Sequence, residues 1–357
     1  MKVTFSTTQL QAVLNKAIKG AGNNKLIPMT SLIAIEASGI SATFTTTDKL
    51  NYLMLTLEIE HTEDFYVAVN VDLLAKLVAK MTSEKTTLEV TDKYLNVIGN
   101  GQYQISLDVD EDGELIKLPN PISKFEKKEP IGEVNSTVIV NSIASLKSAL
   151  LDTNDYPWYT CYYVNNDIIL ATDTYTIGSY AKGFVNKPML VSATAMDLVG
   201  LLVGDIKVYA NDNALLFENA DGVVYGAKTE GITKYSVAEL TALVEQNFEF
   251  SCKVAKSTML NLLDRISLFV GEYDNGEIDL LFRADGLTVT SKYANEVIKY
   301  AEPVENSGDF DCKTDIRTLI SQFKSQLGDV IEIQYGEDNA IKLVDGELTS
   351  VVALLEE

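Results

Sequence analysis

The sequence is poor in the residues that most catalytic and metal sites use. Its 357 residues include one histidine, His61, and three cysteines, Cys161, Cys252 and Cys312, with no CxxC pair. This count disfavours histidine-based catalysis, zinc sites and a disulfide framework, and it fits a reducing cytoplasm. The N-terminal MKVTFSTTQL has no apolar signal core, and no apolar run approaches the ~18 residues that a membrane span needs. We therefore expect a cytoplasmic protein with no membrane partner, no metal and no cofactor.

Sequence motifs for catalysis are also missing. The chain has no Walker loop, no GxGxxG, no HExxH and no GxSxG. The run Asp108-x-Asp110-x-Asp112-Gly113 copies the start of an EF-hand loop. Pro119 occupies the position of its bidentate glutamate, so an acidic surface turn is the better interpretation. The protein is therefore expected not to be an enzyme, although two carboxylates brought together by the fold would leave no sequence motif.

An internal repeat runs along the whole chain. An apolar–x–apolar strand pattern recurs before a polar residue and a helix-period stretch, in steps of about 60 residues. The six copies begin at Val3, Val67, Val138, Met189, Phe250 and Phe310. In the first four copies the polar residue is Ser or Asn, and both are good helix N-caps. Three alternating segments follow the helix in several copies, so one unit is predicted to be a strand, a helix and about three antiparallel strands.

The repeat predicts an α+β architecture. Helices are expected at 8–20, 71–81, 141–151, 193–203, 254–267 and 313–326. A unit of about 60 residues is marginal on its own, so two units are expected in each domain. The three domains are placed at 1–122, 123–245 and 246–357, with a proline-rich linker between the first two and a less clear linker near 230–247.

The charges are distributed unevenly. The chain has 29 basic and 51 acidic residues, a net charge of −22. The six predicted helices hold ten basic and four acidic residues, a net charge of +6, so the rest of the chain carries −28. One interpretation is an ordinary set of solvated helix faces, although such faces usually mix both signs. The other is that the helices face a polyanion, through phosphate contacts that do not depend on base sequence.

Several short strings occur in the order typical of one known family. MKVTFSTTQLQAVLNKAI resembles the family's opening strand and helix, and Leu26-Ile27-Pro28 followed by 31–35 resembles its next segment. Thr46-Thr47-Asp48 and Ala171-Thr172-Asp173 resemble two of its strand ends. Together with the six-fold repeat, these strings make the chain similar over essentially its full length to the bacterial sliding clamp, the β subunit of DNA polymerase III.

The resemblance implies both a fold and a function. The implied fold is the DNA clamp fold, with three tandem domains of two helix-plus-sheet repeats each, helices lining a ring and sheets outside. The implied function is that of a non-catalytic processivity factor, a ring-shaped homodimer that encircles double-stranded DNA and tethers the replicative polymerase. The DNA polymerase and the clamp loader would bind through short hydrophobic linear peptides. The alternative is an acidic repeat scaffold that binds only proteins, which gives no reason for the positive charge of the helices.

The resemblance also implies three sites. The partner-peptide pocket would use Thr172, Thr174, Tyr175, Thr176, Ile177, Val351, Val352, Ala353, Leu354 and Leu355. The dimer contact would pair Tyr103 and Ile105 with Leu268 and Phe269. The residues expected to bind DNA are chosen by position rather than by identity with the family, and they are Lys16, Lys19, Lys25, Lys76, Lys80, Lys147, Lys256, Arg265, Lys313, Arg317 and Lys324.

The chain departs from the family at several of these positions. Thr174-Tyr175-Thr176 stand where the family usually has Gly-His-Arg, and residues 353–357 replace Met-Pro-Met-Arg-Leu. Asn24 stands at a common arginine position, and Val71 and Asp72 stand where basic residues usually begin the second helix. Two acidic residues at the end of the chain are expected to disfavour acidic peptides. This divergence is typical of a clamp encoded by a phage or mobile element, or of a distant lineage.

Overall fold

Two compact units make up the chain in the computed structural model. Unit 1 comprises Met1–Ile139 and Thr194–Lys228, and unit 2 comprises Val140–Ala193 and Thr229–Glu357. The structure describes residues 1–22, 24, 26–109, 113–153, 155–271, 276–302, 306–337 and 339–355, without the side chains of 61–63. Asp110 and Asp112 of the EF-hand-like run lie outside the described residues. The division into three domains remains a prediction.

Seven α-helices occur in the described residues. They are α1 (Thr7–Ala17), α2 (Val71–Ala79), α3 (Ser136–Leu146), α4 (Ala193–Val199), α5 (Val237–Glu245), α6 (Lys256–Ser267) and α7 (Ile316–Ser325). Short 3-10 turns continue α1 at Ile18–Gly20 and α3 at Lys147–Ala149. Helix α5 was not expected from the repeat, since it lies where the second linker was predicted.

The described residues also contain twenty-two strands, all paired antiparallel. They are β1 (Lys2–Ser6), β2 (Leu32–Thr47), β3 (Asn51–Asn70), β4 (Lys85–Val90), β5 (Tyr94–Ile98), β6 (Gln102–Ser106), β7 (Gly132–Asn135), β8 (Cys161–Val164), β9 (Ile169–Thr172), β10 (Thr176–Tyr180), β11 (Met189–Ser192), β12 (Asp205–Ala210), β13 (Ala214–Glu218), β14 (Gly222–Ala227), β15 (Phe250–Ala255), β16 (Glu277–Arg283), β17 (Gly286–Ser291), β18 (Ala294–Ile298), β19 (Phe310–Asp315), β20 (Val330–Glu337), β21 (Ala340–Asp345) and β22 (Leu348–Ala353).

Unit 1 holds two sheets and the helix pair α1–α2. Its four-stranded sheet has the order β1-β4-β5-β6, and its six-stranded sheet has the order β2-β3-β14-β13-β12-β7. Leu14 of α1 and Val78 of α2 are buried where the two helices pack together. The Gln11 amide on α1 donates to the carbonyls of Val78 and Met81, at 2.9 and 3.0 Å. This contact satisfies carbonyls that the end of α2 leaves without intrahelical partners.

Unit 2 repeats this arrangement with a larger sheet. The eight-stranded sheet has the order β11-β8-β9-β10-β22-β21-β20-β15, and the four-stranded sheet has the order β18-β17-β16-β19. Leu263 of α6 and Phe323 of α7 are fully buried in its main core. In the same core the rings of Phe282 and Tyr335 stack with centroids 4.0 Å apart. Each unit therefore buries a pair of helices against its sheets, as the repeat pattern predicts.

The alternating segments form the predicted meanders. Segment 86–107 contains β4, β5 and β6, segment 205–227 contains β12 to β14, and segment 329–354 contains β20 to β22. The dipeptide Asp345-Gly346 lies in the turn between β21 and β22, and Gly346 has a φ of 60°. A side chain at that angle would be strained, so glycine is required there by the tight turn.

The third copy of the repeat is displaced from its predicted position. Val138 and Val140 were expected on a strand before a helix at 141–151, but both lie in α3, and the strand is β7. The helix is preceded by Asn135, whose side-chain oxygen accepts from the Thr137 N–H at 3.0 Å. The prediction was wrong because the β-branched run in STVIV favours a strand locally, and tertiary packing overrides that preference.

The last helix begins later than the sequence pattern suggested. Lys313 was predicted on the helix, but it lies on β19, and α7 starts at Ile316. The N-cap is Asp315, whose carboxylate accepts from the backbone N–H groups of Arg317 and Thr318, at 2.8 and 3.0 Å. Ile316, Leu319 and Phe323, spaced three and four residues apart, are buried on one side of the helix. Helix α6 is likewise shifted, beginning at Lys256 instead of 254.

The Asp315 cap should make the stability of the protein depend on pH. Burial raises the pKa of its carboxyl, but hydrogen bonds from the Arg317 guanidinium and from two backbone N–H groups outweigh burial, so the pKa lies below its usual value. Asp315→Ala is expected to lower the free energy of unfolding by about 0.5–2 kcal/mol at neutral pH. Because the folded-state pKa is lowered, this contribution is present above the unfolded-state pKa of about 3.9 and is lost as the pH falls through the folded-state value.

Urea unfolding of the wild type and the variant at neutral pH and in steps below pH ~4 would measure this difference. The matched control is Asp329→Ala, which removes an exposed aspartate from the loop after α7. The loss of unfolding free energy caused by Asp315→Ala should become smaller in acid, whereas the change caused by Asp329→Ala should stay near zero at every pH. A difference for Asp315 that is independent of pH would contradict the assigned capping role.

Candidate functional site

Four of the lysines predicted to bind DNA lie at the helix pair of unit 1, and they are Lys16, Lys19, Lys76 and Lys80. The Lys16 ammonium is 3.9 Å from the Asp221 carboxylate. Lys76 pairs with Asp72, one turn earlier on α2, at 3.5 Å. Lys19 and Lys80 are exposed, and the ion pairs found among the described residues include neither of them. Lys25 lies outside the described residues.

Three of the predicted basic residues of unit 2 are held by other parts of the protein. The Lys256 ammonium donates to the carbonyls of Lys324 and Gln326, at 3.3 and 2.5 Å, at the end of α7. The Arg265 guanidinium binds the Glu296 carboxylate on β18, with Nε 3.0 Å from one oxygen. Lys313 on β19 pairs with Glu277 at 2.7 Å. Arg265 and Lys313 are therefore paired with carboxylates within the unit, and the Lys256 ammonium is bound to backbone carbonyls.

The remaining basic residues of unit 2 are more accessible. The Arg317 side chain is 74% exposed and hydrogen bonds to Asp315 at 2.8 Å. Lys324 is exposed in the last turn of α7. Lys147 is exposed at the start of the 3-10 turn after α3.

Most of these basic residues occupy the C-terminal ends of helices. The residues in a last helical turn or at a helix C-cap are Lys16, Lys19, Lys76, Lys80, Lys147, Arg265 and Lys324. The helix dipole stabilises cations there by about 0.3–1 kcal/mol each, whether or not DNA is bound. With α5 included, the helices, the two 3-10 turns and Lys80 hold nine basic and five acidic residues. The net helix charge is thus +4, smaller than the predicted +6.

The two segments predicted to form the peptide pocket are neighbours in the eight-stranded sheet of unit 2. Strand β10 pairs with β22, so that Ile177 lies opposite Val351 and Thr176 lies opposite Val352. The Ala353 N–H also donates to the Tyr175 carbonyl at 2.9 Å. The structure therefore brings together residues that are about 175 positions apart in the sequence, as the resemblance implies.

Helix α5 covers part of this face of the sheet. Ile177 and Val351 are buried beneath the apolar residues Leu240, Leu243, Val244 and Phe248. The helix is held at its C-terminal end by Lys342 of β21, whose ammonium donates to the carbonyls of Val244 and Gln246, at 3.1 and 2.5 Å. Burial lowers the pKa of Lys342. The spacing of Val237, Leu240 and Val244 after Ser236 is helical, and this signal was available in the sequence.

An exposed strip remains beside the covered residues. Ala353 and Ala340 face the same side of the sheet as Val351 and Lys342, because side chains two residues apart in a strand share a face. Tyr175 adjoins Ala353 and is 74% exposed, and Leu355 is also exposed. Thr172 is buried, whereas Thr174 is exposed with a φ of 82°. Of the predicted pocket residues, Ile177 and Val351 are thus buried under α5, and Tyr175, Ala353 and Leu355 form the exposed strip. Val352 is buried in the main core of unit 2, and Leu354 packs against that core.

The residues predicted at the dimer contact lie at sheet edges or next to a helix end. Strands β6 and β18 are each the outer strand of a four-stranded sheet. Tyr103 on β6 is 42% exposed, but Ile105 is buried, so only its backbone is available for a contact. Leu268 and Phe269, just after α6, are 82% and 51% exposed. Exposed apolar side chains and open strand edges are suited to pairing with another chain.

Neither a metal site nor a membrane span is found in the described part of the chain. Within the residues that the structure describes, no group of three or more His, Cys, Asp or Glu side chains is placed to hold a metal ion. None of the described helices is long and apolar enough to cross a membrane.

Comparison with known proteins gives one consistent likeness. No protein-family model and no curated protein matches the sequence. Among solved structures, the DNA polymerase sliding clamp from Bacillus subtilis is 16% identical, with a TM-score of 0.83, over 100% of this chain and 99% of that one. The β subunit of the Streptococcus pyogenes DNA polymerase is 14% identical, with a TM-score of 0.84 and full coverage of both chains. The Bartonella birtlesii clamp, solved with griselimycin, is 12% identical, with a TM-score of 0.84 and full coverage. The predicted fold class is confirmed: over its whole length, the chain has the fold of the bacterial sliding clamps, the β subunits of DNA polymerase III.

Proposed function

We propose that the protein is a DNA sliding clamp, a non-catalytic processivity factor of DNA replication in the cytoplasm. The observation that carries this proposal is a likeness to clamps that extends over 99% or more of both chains, at TM-scores of 0.81 to 0.84. The protein would act as a ring-shaped homodimer around double-stranded DNA. The polymerase and the clamp loader would bind it through short hydrophobic peptides.

The charge of the protein is compatible with a clamp that holds DNA by topology. A net charge of −22 repels DNA from most of the surface. A closed ring does not need tight affinity, because DNA leaves only when an interface opens. A few exposed lysines then provide weak, sequence-independent phosphate contacts. The scaffold alternative is not favoured, because the full-length likeness is to DNA polymerase clamps.

The proposed DNA contact predicts a specific change in salt dependence. Lys19, Lys80 and Lys324 are exposed and take part in no ion pair found among the described residues, so they are the candidates to test. Changing all three to glutamate is expected to weaken binding to a short labelled duplex, measured by fluorescence anisotropy across a salt series. Removal of three phosphate contacts should reduce the slope of log affinity against log salt by about 2–3.

A matched control distinguishes the loss of specific phosphate contacts from the effect of a more negative net charge. Changing Lys85, Lys93 and Lys187 to glutamate gives the same change in net charge, and all three are exposed outside the helices. This control should leave the slope nearly unchanged. Equal effects of the two triple variants would show that the helix lysines have no special role in binding DNA.

The proposed ring predicts a dimer that depends on residues next to α6. Light scattering over a dilution series should give a mass of about twice 39.2 kDa. Leu268→Asp with Phe269→Asp is expected to give the monomer mass, because two charges would then enter an apolar contact. The same variant should lose the retention on circular DNA, relative to linear DNA, that a closed ring provides.

The control for this experiment is Val203→Asp with Leu327→Asp, which charges two exposed apolar residues elsewhere. It should remain dimeric. A wild-type protein that is a stable monomer at all concentrations would overturn the two-subunit ring. If the Leu268 and Phe269 variant is still a dimer, the interface must lie on another surface.

A further inference from the structure

The open strip beside α5 is apolar along its floor. It is formed by Tyr175, Ala353 and Leu355, which lie two or four residues along the chain from Ile177 or Val351. Helix α5 and Phe248 pack on Ile177 and Val351. Tyr175 and Ala353 are joined by a backbone hydrogen bond of 2.9 Å. An exposed apolar strip bounded by a helix on one side suits a short extended peptide with a few apolar side chains.

The rim of this strip carries negative charge. Glu245 ends α5 and Glu249 follows Phe248, and both are exposed. Glu249 lies against Gly336, next to Glu337, and Glu337 lies opposite Ala340 in the sheet. On the other side, the Asp173 carboxylate accepts from the Tyr175 and Thr176 N–H groups, at 2.9 and 2.6 Å. Glu337 is thus aligned with Ala353 across Ala340 in the sheet, Glu249 lies near it, Glu245 lies at the end of α5, and Asp173 lies beside Tyr175.

The two lysines near the strip do not offset these carboxylates. Lys342 is only 6% exposed, and its ammonium donates to the carbonyls at the end of α5, with the centroid of the Phe248 ring 5.0 Å away. Lys313, whose carbonyl accepts from the Leu355 N–H, has its ammonium paired with Glu277 at 2.7 Å. Neither ammonium group is therefore placed to bind a ligand on the strip. The carboxylates Glu245, Glu249 and Glu337 take part in no ion pair found among the described residues.

We propose that this strip binds peptides whose apolar residues are flanked by lysine or arginine, and that it discriminates against acidic peptides. The inference rests on the proposed function, because it names the chemistry of the partner peptide for the proposed pocket. Charge complementarity at an exposed rim contributes mainly to selectivity and association rate, and it is weakened by salt. The apolar floor supplies the contact area, and the carboxylates decide which flanking residues are accepted.

The inference can be tested on the full-length protein with two labelled probe peptides. Both have the same Leu-Phe core, and one is flanked by lysines and the other by glutamates. Fluorescence anisotropy at low salt should show the lysine-flanked probe binding about tenfold more tightly, the size expected of a few exposed charge pairs. The ratio should fall towards one at high salt. Ala353→Gln, which places a larger neutral side chain on the strip, should weaken both probes.

The rim variant changes Glu245, Glu249 and Glu337 together to glutamine and should bring the two affinities close together. Its matched control changes Glu126, Glu129 and Glu133 to glutamine, three exposed residues of unit 1, and should leave the ratio unchanged. Equal binding of the two probes by the wild type, or a ratio that the rim variant does not alter, would overturn the charge preference and leave the pocket in place. If neither probe binds, the strip is not a peptide-binding site and the inference is wrong. The DNA-binding and dimer experiments would still test the proposed clamp function independently.

Discussion

Antiparallel backbone pairing between strands that are far apart in the sequence is the interaction on which both units depend. In unit 1, β3 pairs with β14, and in unit 2, β10 pairs with β22. At Gly222 a Cβ atom would come within 2.2 Å of the Met54 carbonyl oxygen, so any side chain there would push the two strands apart. These ladders join different copies of the repeat into single sheets. Breaking one of them would expose two sheet edges at once, and open edges favour aggregation.

The sequence pattern correctly predicted those helices and strands in which the intrinsic preference of the residues and their tertiary packing favour the same structure. The helical pattern of 313–326 predicted α7, and the alternating segments after the helices predicted the antiparallel meanders. Where preferences disagree, the prediction failed: the β-branched run around Val138 favours a strand in isolation, but it forms α3 because its neighbours bury one face of a helix. Helix α5 was missed because it lies between two copies of the repeat, in the segment assigned to the second linker, although its apolar residues have helical spacing. The pairing of Ile177 with Val351 carries no local signal and came from the family resemblance alone.

The distribution of charge has two physical causes that the sequence does not separate. Cations at helix C-termini are favoured by the dipole, and Lys256 shows this most directly, since its ammonium binds the carbonyls that end α7. The proposed DNA contact uses the same class of residue, so the sequence count of helix charges overstates the evidence for it. Only the structure distinguishes exposed lysines such as Lys19 and Lys324 from those whose charge is engaged within the unit. The number of proposed phosphate contacts is accordingly smaller than the number of helix lysines.

The fold depends more on backbone pairing and helix capping than on individual surface residues. This explains how it can be kept at TM-scores above 0.8 while sequence identity falls to 11–16%. The same division applies within the proposed peptide pocket. The row of Ile177 and Val351 must stay apolar, because it is buried under α5 and joins two strands. The Asp173 carboxylate caps the turn before β10, whereas Glu245, Glu249 and Glu337 are in no ion pair found among the described residues. These three glutamates are therefore the positions at which the proposed choice of partner peptide can change with little loss of stability.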